Sequence, residues 1–396
     1  MELTRKQEEG LKIVIERFLN HDKYTVISGY AGSGKSTLVR FMIDALSAHG
    51  VREETDVCFC AYTGKAAQVL IDKGNKNAMT AHRLMYKAIP RPDGSFIFTP
   101  KTELEYKVII VDECSMLPRK MMERLLAYPN IYVVFCGDPG QLPPINKDDD
   151  NHLLDHPHIF LDEIMRQAAD SGIIQLSMKV RHGEGIDGFK TNDAIVLPKT
   201  ELNTGMLEWA DIILCATNAT RININNEMRR LLGHEGEICD GDKVINLNNS
   251  WETFSENGNA LTNGAIGYFY NPFESYVRTP SFAKIPFNEI KTYIGHFVTE
   301  TNDDFGTLSI DKKMIDKGEF SLTSKQKFLL GRNQKYASLI PYQFTFAYAI
   351  TTHKAQGSSW KNVLVIEEKF PYQSEEHKRW LYTACTRSEQ KLVLLR

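Results

Sequence analysis

Short apolar runs of strand length recur along this chain, and stretches with an apolar residue every three or four positions lie between them. The runs that we predict as strands are 24–28, 56–61, 107–111, 131–136, 211–216, 344–350, 362–366 and 391–395. Helical spacing is clear over 3–19, where Thr4 is a suitable N-cap, and over 35–48 and 218–232. Strands that alternate with helices are typical of parallel sheets, so we predict two α/β sets along the chain.

Two stretches break this alternation. Residues 235–341 are rich in Gly, Asn, Tyr and Phe, and their short strand-like runs predict a small β-barrel insert. Residues 90–98 are typical of a hairpin, with an Asp-Gly turn at 93–94 and with Phe96 and Phe98 on one face. The strand-like runs of the barrel region include 243–247 and 265–269.

The composition is that of an ordinary globular protein. The 396 residues suffice for two or three domains, and the net charge of −3 gives no overall indication of nucleic-acid binding. The seven cysteines include no C-x-x-C pair, which argues against a zinc site. Metal binding by the histidines at 152, 156 and 158 is conceivable, but their irregular spacing favours a solvated loop. Because no apolar run is long enough for a membrane span, we expect a cytoplasmic protein (in the host cytoplasm if the source is viral) and no membrane partner.

The stretch from Gly29 to Thr37 reads GYAGSGKST and fits the P-loop pattern. It stands between a predicted strand and a predicted helix, so its N–H groups and the helix N-terminus can face phosphate oxygens. Lys35 can reach the β and γ phosphates, and the Ser36 hydroxyl can ligate Mg²⁺. The strand and helix context argues against a chance glycine turn. The predicted nucleotide-binding residues of the loop are Gly29, Ala31, Gly32, Ser33, Gly34, Lys35, Ser36 and Thr37.

Acidic and amide side chains elsewhere in the chain could serve ATP hydrolysis. Asp112 and Glu113 end the run 107–111; Asp112 would bind Mg²⁺, and Glu113 would orient and polarise the attacking water. Gln141, in a loop rich in Gly and Pro, could sense the γ-phosphate. Gln7 could read N6 and N7 of adenine with its amide, or it could be a solvated surface residue.

Four further residues allow both a functional and a structural interpretation. Tyr62 and Thr63 follow a predicted strand at the edge where α/β sheets bind ligands, although a plain turn also explains them. His82 opens a short helix, where a structural role is common. Arg166 is a lone arginine near the end of the first α/β set, and a surface ion pair is its alternative role.

Taken together, these segments resemble the helicase motifs of superfamily one. In chain order they read GYAGSGKST, AYTGKAAQVL, VDECSM, GDPGQLPPI, LDEIMRQ, ATN, TTHKAQGSSW and LYTACTRSEQKL. The resemblance is strongest to the RecD/Dda type, phage-like in its small size, and it covers nearly the whole chain. The departures are small: Tyr62 stands where Pro is usual, and Cys385 stands where Val or Leu is common. The stretch 271–336 matches no motif.

The resemblance implies an α/β fold of two RecA-like P-loop domains, with a β-hairpin insert in the first and a small SH3-like β-barrel insert in the second. The first domain would cover 1–165, with the hairpin insert at about 86–102. The second would comprise 166–234 and 342–396, and the barrel would cover 235–341. ATP would lie in the cleft between the two RecA-like domains.

The resemblance also implies roles in ATP hydrolysis. Gln7 would select adenine, and Gly357 would join the nucleotide-binding set. Gln141, Arg166 and Arg387 would contact the γ-phosphate, with Arg387 acting as an arginine finger from the second domain. With ATP and Mg²⁺ as cofactors, the metal ligands would be Ser36 and Asp112, and the catalytic set would be Lys35, Asp112, Glu113, Gln141, Arg166 and Arg387.

Single-stranded DNA would cross both domains, and the hairpin with Phe96 and Phe98 would part the duplex at the fork. Members of this type translocate 5′ to 3′, a direction that the residues themselves do not indicate. Expected partners are single-stranded DNA, fork DNA, and a single-stranded-DNA-binding protein or replication proteins, and the protein would act as a monomer. The implied DNA contacts, suited to a grip independent of base sequence, are Tyr62, Thr63, His82, Thr352, His353 and Gln356.

We therefore predict an ATP-dependent DNA helicase of replication, repair or recombination. A translocase that strips proteins from single-stranded DNA without efficient unwinding is an open alternative. A P-loop nucleotide kinase is another, although it does not need a second α/β set with a late arginine motif. A non-enzymatic binding module built on the barrel is disfavoured, because Glu113 stands beside an intact P-loop pattern.

Overall fold

The computed structural model describes residues 3–75, 77–90, 96–143, 149–332, 334–369 and 374–396. The predicted hairpin turn at 93–94 lies outside these residues. By its contacts the chain divides into two units. Unit 1 comprises Met1–Met85, Lys101–Thr217 and Thr351–Arg396, and unit 2 comprises Tyr86–Pro100 and Asn218–Ile350.

The helices and strands follow the predicted alternation in much of the chain. None of the described helices is both long and apolar enough to cross a membrane. Up to residue 165 the elements are α1 (Arg5–Leu19), β1 (Tyr24–Gly29), α2 (Lys35–Ser47), α3 (Glu53–Asp56), β2 (Val57–Ala61), α4 (Gly64–Asp72), β3 (Ala78–Thr80), α5 (Ala81–Met85), β4 (Tyr86–Pro90), β5 (Phe96–Pro100), β6 (Val108–Val111), α6 (Arg119–Ala127), β7 (Tyr132–Gly137) and β8 (Ile159–Leu161). The next are α7 (Arg166–Ala169), α8 (Gly172–His182), β9 (Ala194–Leu197), α9 (Thr204–Trp209), β10 (Ile212–Cys215) and α10 (Asn218–Leu231). Then come β11 (Asp242–Asn246), β12 (Ser250–Phe254), β13 (Ala260–Leu261), β14 (Ile266–Arg278), β15 (Glu289–Thr299), β16 (Asp304–Asp311), α11 (Lys312–Lys317), α12 (Ser324–Gly331), α13 (Gln334–Ala337) and β17 (Phe344–Phe346). The last are β18 (Ala349–Thr351), α14 (Thr352–Ala355), β19 (Trp360–Ile366), α15 (Ser374–Cys385) and β20 (Ser388–Leu395).

A parallel sheet organises the first part of unit 1. Its strand order is β3-β2-β6-β7-β1-β8, and the described pairs within it are parallel. Its strands are buried almost throughout, as β6 shows, and Leu38, Met42 and Leu46 of α2 pack into the same core. Because β6, β7 and β1 are neighbours, the loops that follow them meet at one edge of the sheet.

A second sheet has the order β18-β10-β19-β20-β9, and its strands β10, β19, β20 and β9 lie in unit 1. The pairing is parallel between β10 and β19, β19 and β20, and β20 and β9. Helix α15 belongs to this part of the unit, and its last turns, which include Trp380 and Tyr382, are buried. The two predicted α/β sets are therefore confirmed as sheets with parallel pairing.

Unit 2 contains an antiparallel sheet of order β16-β15-β14-β11-β17. The Asp311 N–H donates to the Tyr342 carbonyl (2.8 Å), and the Tyr342 N–H donates to the Ser309 carbonyl (2.9 Å). These bonds join β16 to the segment before β17 and close the sheet around an aromatic core. The antiparallel pair β4–β5 is also grouped with unit 2 by its contacts. Rings in the sheet's core include Phe269, Phe297 and Phe344.

Two predicted strands differ from the observed ones. The run 344–350 divides into β17, which pairs with β11, and the start of β18, which belongs to a different sheet. A continuous apolar run does not reveal that its two ends enter different sheets. The predicted run 265–269 covers only the start of β14. The outer half of this strand exposes Phe273 and Tyr276, so its sequence does not show the apolar pattern of a buried strand.

Candidate nucleotide-binding site

The loop between β1 and α2 forms a cradle of backbone groups. Gly32 and Gly34 have left-handed backbone angles, with φ of 76° and 80°, and a Cβ on Gly34 would lie 2.3 Å from the Gln7 amide nitrogen. Position 34 therefore requires glycine for both its conformation and its space. The Ser33 hydroxyl is buried and has no hydrogen-bond partner among the described residues. An unsatisfied buried hydroxyl in a glycine-rich turn at a helix N-terminus fits a phosphate group.

Lys35 and Ser36 begin helix α2. The Lys35 ammonium donates to the carbonyls of Gly29 (2.7 Å) and Tyr30 (3.0 Å), which holds its charge within the loop. Ser36 is exposed at the same helix start. Both side chains therefore lie at the loop to which the P-loop pattern assigns phosphate and metal contacts.

Gln7 is fully buried under the P-loop. Its amide nitrogen donates to the Gly34 carbonyl (3.1 Å), and its amide oxygen accepts from the Thr4 N–H (2.9 Å), which completes the capping box of α1. The surface alternative for Gln7 is therefore wrong. For this amide to bind adenine, one of its two hydrogen bonds would have to be replaced by a bond to the base.

The predicted acidic pair follows β6, next to the strand that neighbours the P-loop strand. The Asp112 carboxylate accepts from the Glu113 N–H (3.0 Å), and Glu113 has a left-handed φ of 47°. Burial, together with the charge of Glu113, raises the pKa of Asp112, and Lys35 opposes this shift. A strained glutamate beside a buried carboxyl is typical of functional sites, and such oxygens suit a hard cation such as Mg²⁺.

A chain of polar contacts links Glu113 to the second sheet of unit 1. The Gln141 amide nitrogen donates to Glu113 (3.2 Å), and its oxygen accepts from Arg387 Nη2 (3.3 Å), in the amide orientation that satisfies both neighbours. Arg387 is nearly buried and also donates to the carbonyls of Thr383 (3.1 Å) and Ser358 (3.3 Å). The structure therefore brings three predicted catalytic residues into one connected group.

Tyr382 is a residue of this site that sequence reasoning missed. It is fully buried on α15, and its hydroxyl accepts from the Ala31 N–H of the P-loop (2.9 Å) and donates to Asp138 (2.7 Å). Asp138 also accepts from the Gly140 N–H (2.9 Å), and burial raises the pKa of its carboxyl. One hydroxyl from the second sheet thus holds both the P-loop and the loop of Gln141. The motif LYTACTR contains this tyrosine, but the pattern does not distinguish its hydroxyl from that of an ordinary core residue.

Several predicted DNA contacts remain accessible in part. The rings of Tyr62 and His82 are half-buried, with centroids 6.1 Å apart. Thr63 caps helix α4 by accepting from the Ala66 N–H (3.2 Å). Burial lowers the pKa of both His82 and the half-buried His353, so both imidazoles are neutral at physiological pH.

Thr352 and Gln356 do not fit the predicted role of DNA contacts. Thr352 is fully buried, and its hydroxyl donates to the Cys215 carbonyl (3.4 Å). Gln356 is nearly buried, and its amide nitrogen donates to the Leu142 carbonyl (2.8 Å). Both side chains satisfy backbone groups inside unit 1, so neither is available to a nucleic acid in this conformation.

Gly357, predicted to bind nucleotide, lies instead against helix α4. Its φ is 74°, and a Cβ there would lie 2.9 Å from the Cβ of Ala66. Its backbone conformation and close packing explain the glycine, and these contacts give no support to nucleotide binding. The side chains of Arg166 on α7 and of Phe96 and Phe98 on β5 lie outside the part of the chain that the structure describes at that level.

Outside the nucleotide site, His234, Cys239 and Asp242 bring three potential metal ligands within 4.8 Å of one another. Asp242 is fully buried, and its carboxylate already accepts from Arg229 (3.1 Å) and from the Cys239 N–H (2.8 Å). Because the guanidinium neutralises this carboxylate, the cluster is a buried ion pair with polar neighbours rather than a cation site.

Two family models match the chain. The model described as an AAA domain matches residues 2–196, and the model of the UvrD-like helicase C-terminal domain matches residues 346–395. The matched ranges include the P-loop, Asp112 and Glu113 in the first and Arg387 in the second.

Similar proteins include two named DNA helicases. The ATP-dependent RecD2 DNA helicase of Deinococcus radiodurans is 28% identical, over 98% of this chain and 49% of its own length. The ATP-dependent DNA helicase dda of Enterobacteria phage T4 is 26% identical, over 49% of this chain and 48% of its own length. Each match therefore covers about half the length of the relative.

Solved structures of Pif1 helicases share the fold. Pif1 from Bacteroides in complex with ADP-AlF3 and single-stranded DNA is 17% identical with a TM-score of 0.55, over 100% of this chain and 92% of that one. Pif1 from Candida albicans is 19% identical with a TM-score of 0.50, over 100% of this chain and 95% of that one. The shared feature is a mixed α/β fold with parallel sheets.

Proposed function

Because the chain belongs to the superfamily-one helicases of the RecD/Dda type, we propose that it is an ATP-dependent DNA helicase that couples ATP hydrolysis to duplex unwinding. The observation that carries the proposal is the series of polar contacts from Glu113 through Gln141 to Arg387. These contacts connect Glu113, which would activate water beside the first sheet, with the Arg387 cation beside the second sheet. Hydrolysis coupled to movement needs such a connection, because the nucleotide must bias how the two parts close.

In the proposed reaction the P-loop N–H groups and Lys35 hold the triphosphate. Ser36 and Asp112 would hold Mg²⁺, which supplies positive charge to the phosphate oxygens when bound. Glu113 orients the attacking water and polarises it. Arg387 supplies charge to the γ-phosphate from the second sheet. Further proposed contacts are Gln141 and Arg166 with the γ-phosphate and Gln7 with adenine.

The proposed path of single-stranded DNA uses the accessible members of the predicted contacts, which are Tyr62, Thr63, His82 and His353. Neutral imidazoles, a hydroxyl and a phenol suit contacts with sugar, phosphate and base faces without reading the sequence. The proposed role of the β4–β5 hairpin, with Phe96 and Phe98, is to part the duplex at the fork.

The proposed domains are two RecA-like domains, at 1–165 and at 166–234 with 342–396, and an SH3-like barrel at 235–341. The closed antiparallel sheet of unit 2 supports the barrel, and the hairpin insert at about 86–102 contains β4 and β5. We also propose 5′ to 3′ movement, a cytoplasmic monomer, and fork DNA with single-stranded-DNA-binding or replication proteins as partners.

The test is ATP-dependent unwinding of duplexes that carry a single-stranded tail at either the 5′ or the 3′ end. We expect hydrolysis stimulated by DNA and unwinding of the 5′-tailed duplex. Lys35→Ala should lower both by at least about a hundredfold, because a transition-state charge is removed, and should leave oligonucleotide binding in place. Lys12→Ala, which removes an exposed lysine of α1, should match the wild type.

Two outcomes would contradict the proposal. Displacement of streptavidin from a biotinylated strand without unwinding would show a translocase. Transfer of the γ-phosphate to a nucleotide, with no effect of DNA on ATP turnover, would show a kinase.

A further inference from the structure

The part of unit 2 that matches no helicase motif carries a concentrated positive charge. Over 279–288 and 320–340 the sequence has no Asp or Glu, although the whole chain has a net charge of −3. The nearest acids in sequence are Glu289 and Glu319, and Glu319 pairs with Lys313 (2.8 Å). We call the described residues of these two segments, 279–288, 320–332 and 334–340, the basic aromatic patch. Its cations are Lys284, Lys325, Lys327, Arg332 and Lys335.

The two segments of the patch fold together. Ala283 and Ile285 share a small buried cluster with Leu322 and Leu330. The Gln326 amide nitrogen donates to the Lys284 carbonyl (3.1 Å), and the ring of Phe282 meets that of Tyr336 edge to face at 5.3 Å. The patch is therefore one subdomain with its own core, and its outward side chains have a common support.

Large aromatic rings are exposed on this subdomain. Phe287 is 94% exposed and Phe328 is 65% exposed, while Phe282 and Phe320 are about half exposed. Phe287 lies in a loop where it, Lys284 and Asn288 all have left-handed φ angles. A bulky residue held in a strained conformation with its ring in solvent indicates a functional use.

Cations stand beside these rings. Lys327 Nζ lies 4.4 Å from the centroid of Phe320, and the Arg332 guanidinium lies 5.7 Å from that of Phe328. Burial lowers the pKa of Lys327. Exposed rings with cations beside them match a polyanion that carries flat apolar groups between its charges. That is the chemistry of single-stranded nucleic acid, whose bases stack on rings while its phosphates meet cations.

We propose that the basic aromatic patch is a binding surface for single-stranded nucleic acid, separate in sequence from the predicted DNA contacts. This proposal depends on the proposed function in one respect, the choice of nucleic acid as the class of ligand. An acidic peptide would share the charge complementarity, but peptide anchors are buried in pockets, whereas Phe287 is 94% exposed and Phe328 is 65% exposed.

The test measures the affinity of a fluorescent oligothymidylate of about 20 nucleotides by anisotropy, without ATP and at several salt concentrations. Phe287→Ala with Phe328→Ala should weaken binding at least about fivefold. Lys325→Gln with Lys327→Gln should also weaken it and should reduce the salt slope by about 0.7 for each phosphate that the variant no longer neutralises. Photo-cross-linking of a halogenated oligonucleotide should label the patch.

Matched controls lie in the same unit. Phe254→Ala removes a ring that is 57% exposed outside the patch, and Lys317→Gln removes an exposed lysine. Both should bind as the wild type does. All variants should keep the wild-type melting temperature, and the lysine pair decides the question if the phenylalanine pair fails to fold.

The inference is overturned if the patch variants show the same affinity, salt slope and cross-links as the controls. If the wild type then still shows ATP hydrolysis stimulated by DNA, the proposed function is not affected. A wild type with neither DNA binding nor DNA-stimulated hydrolysis would overturn the proposed function as well. A third outcome is that the wild type binds an acidic peptide more tightly than the oligonucleotide. If both patch variants lose the peptide but keep the oligonucleotide, the surface is a site for a protein partner instead.

Discussion

At the scale of single residues, the backbone of Glu113 is the most informative feature of the site. Its left-handed φ of 47° is rare for a side chain of this size, and the carboxylate next to it in sequence is buried. The Gln141 amide reaches Glu113 from the neighbouring loop (3.2 Å). These constraints hold the Glu113 carboxylate in place for one task, the proposed activation of water.

We predict that Glu113→Gln keeps ATP binding but lowers hydrolysis by about a hundredfold or more, because the amide cannot polarise water as a carboxylate does. The measurement is nucleotide affinity beside single-turnover hydrolysis. Glu105→Gln, at an exposed glutamate before β6, is the control and should behave as the wild type. A parallel loss of binding and hydrolysis would make Glu113 a metal ligand or a structural residue.

At the scale of elements, helix α10 is fastened to strand β11 by a buried ion pair. Arg229 donates to Asp242 (3.1 Å) and to the Gly236 carbonyl (3.0 Å), and its guanidinium lies 4.2 Å from the centroid of Phe346. Asp242 also accepts from the Tyr348 hydroxyl (2.9 Å). Each member of the pair depends on the other for its charge compensation.

We predict that Arg229→Met lowers the free energy of unfolding of unit 2 by about 3–5 kcal/mol, since the Asp242 carboxylate is left buried and unpaired. Arg230→Met changes the adjacent arginine, which is exposed and pairs with Glu227, and should change stability by less than about 1 kcal/mol. Urea unfolding followed by fluorescence measures both. The double variant Arg229→Met with Asp242→Asn should recover part of the lost free energy of unfolding. If it recovers none, the loss comes from packing and not from the unpaired charge.

The β4–β5 hairpin gives a second prediction at this scale. If its rings open the fork, Phe96→Ala with Phe98→Ala should leave DNA-stimulated hydrolysis and translocation nearly intact, while unwinding falls sharply. The reason is that the variant lacks the rings that would stack on an exposed base, an interaction of about 1–3 kcal/mol. Stopped-flow unwinding and ATPase assays on the same variant separate the activities. A proportional fall of all three activities, or a large drop in melting temperature, would place the rings in a packed core.

At the scale of the whole molecule, α15 connects the two sheets of unit 1 through side chains. Tyr382 bonds to the Ala31 N–H and to Asp138, and the Thr383 hydroxyl accepts from the Leu142 N–H (2.9 Å). These bonds place a helix of the second sheet in direct contact with two loops of the first.

We predict that Tyr382→Phe destabilises unit 1 by about 1–3 kcal/mol, because the Ala31 N–H and the buried Asp138 carboxyl each lose a partner. The stimulation of hydrolysis by DNA should fall severalfold while DNA affinity is unchanged. Tyr270→Phe, at an exposed tyrosine, is the control. Wild-type stimulation in Tyr382→Phe would confine this hydroxyl to a structural role.

Much of the fold and part of the site could be predicted from the sequence. The P-loop, the strand that ends at Asp112 and Glu113, and the helix capped by Thr4 depend on neighbours within a few residues, so their local patterns sufficed. The position of Gln7 before the P-loop strand draws attention to it, but the local sequence does not indicate that its side chain is buried under the loop. The exposed rings of the basic aromatic patch, such as Phe287, gave no pattern at all, because exposure is not a periodic property of a loop.

By itself, therefore, the sequence determined the elements, the phosphate-binding loop and the acidic pair, since glycine conformation, apolar run length and charge are local properties. Only the tertiary structure decided which distant groups meet. It turned Thr352 and Gln356 inward, brought Tyr382 to the P-loop, and divided 344–350 between two sheets. The physical reason is that a buried donor must find an acceptor in three dimensions, and the position of that acceptor depends on how strands order themselves in a sheet.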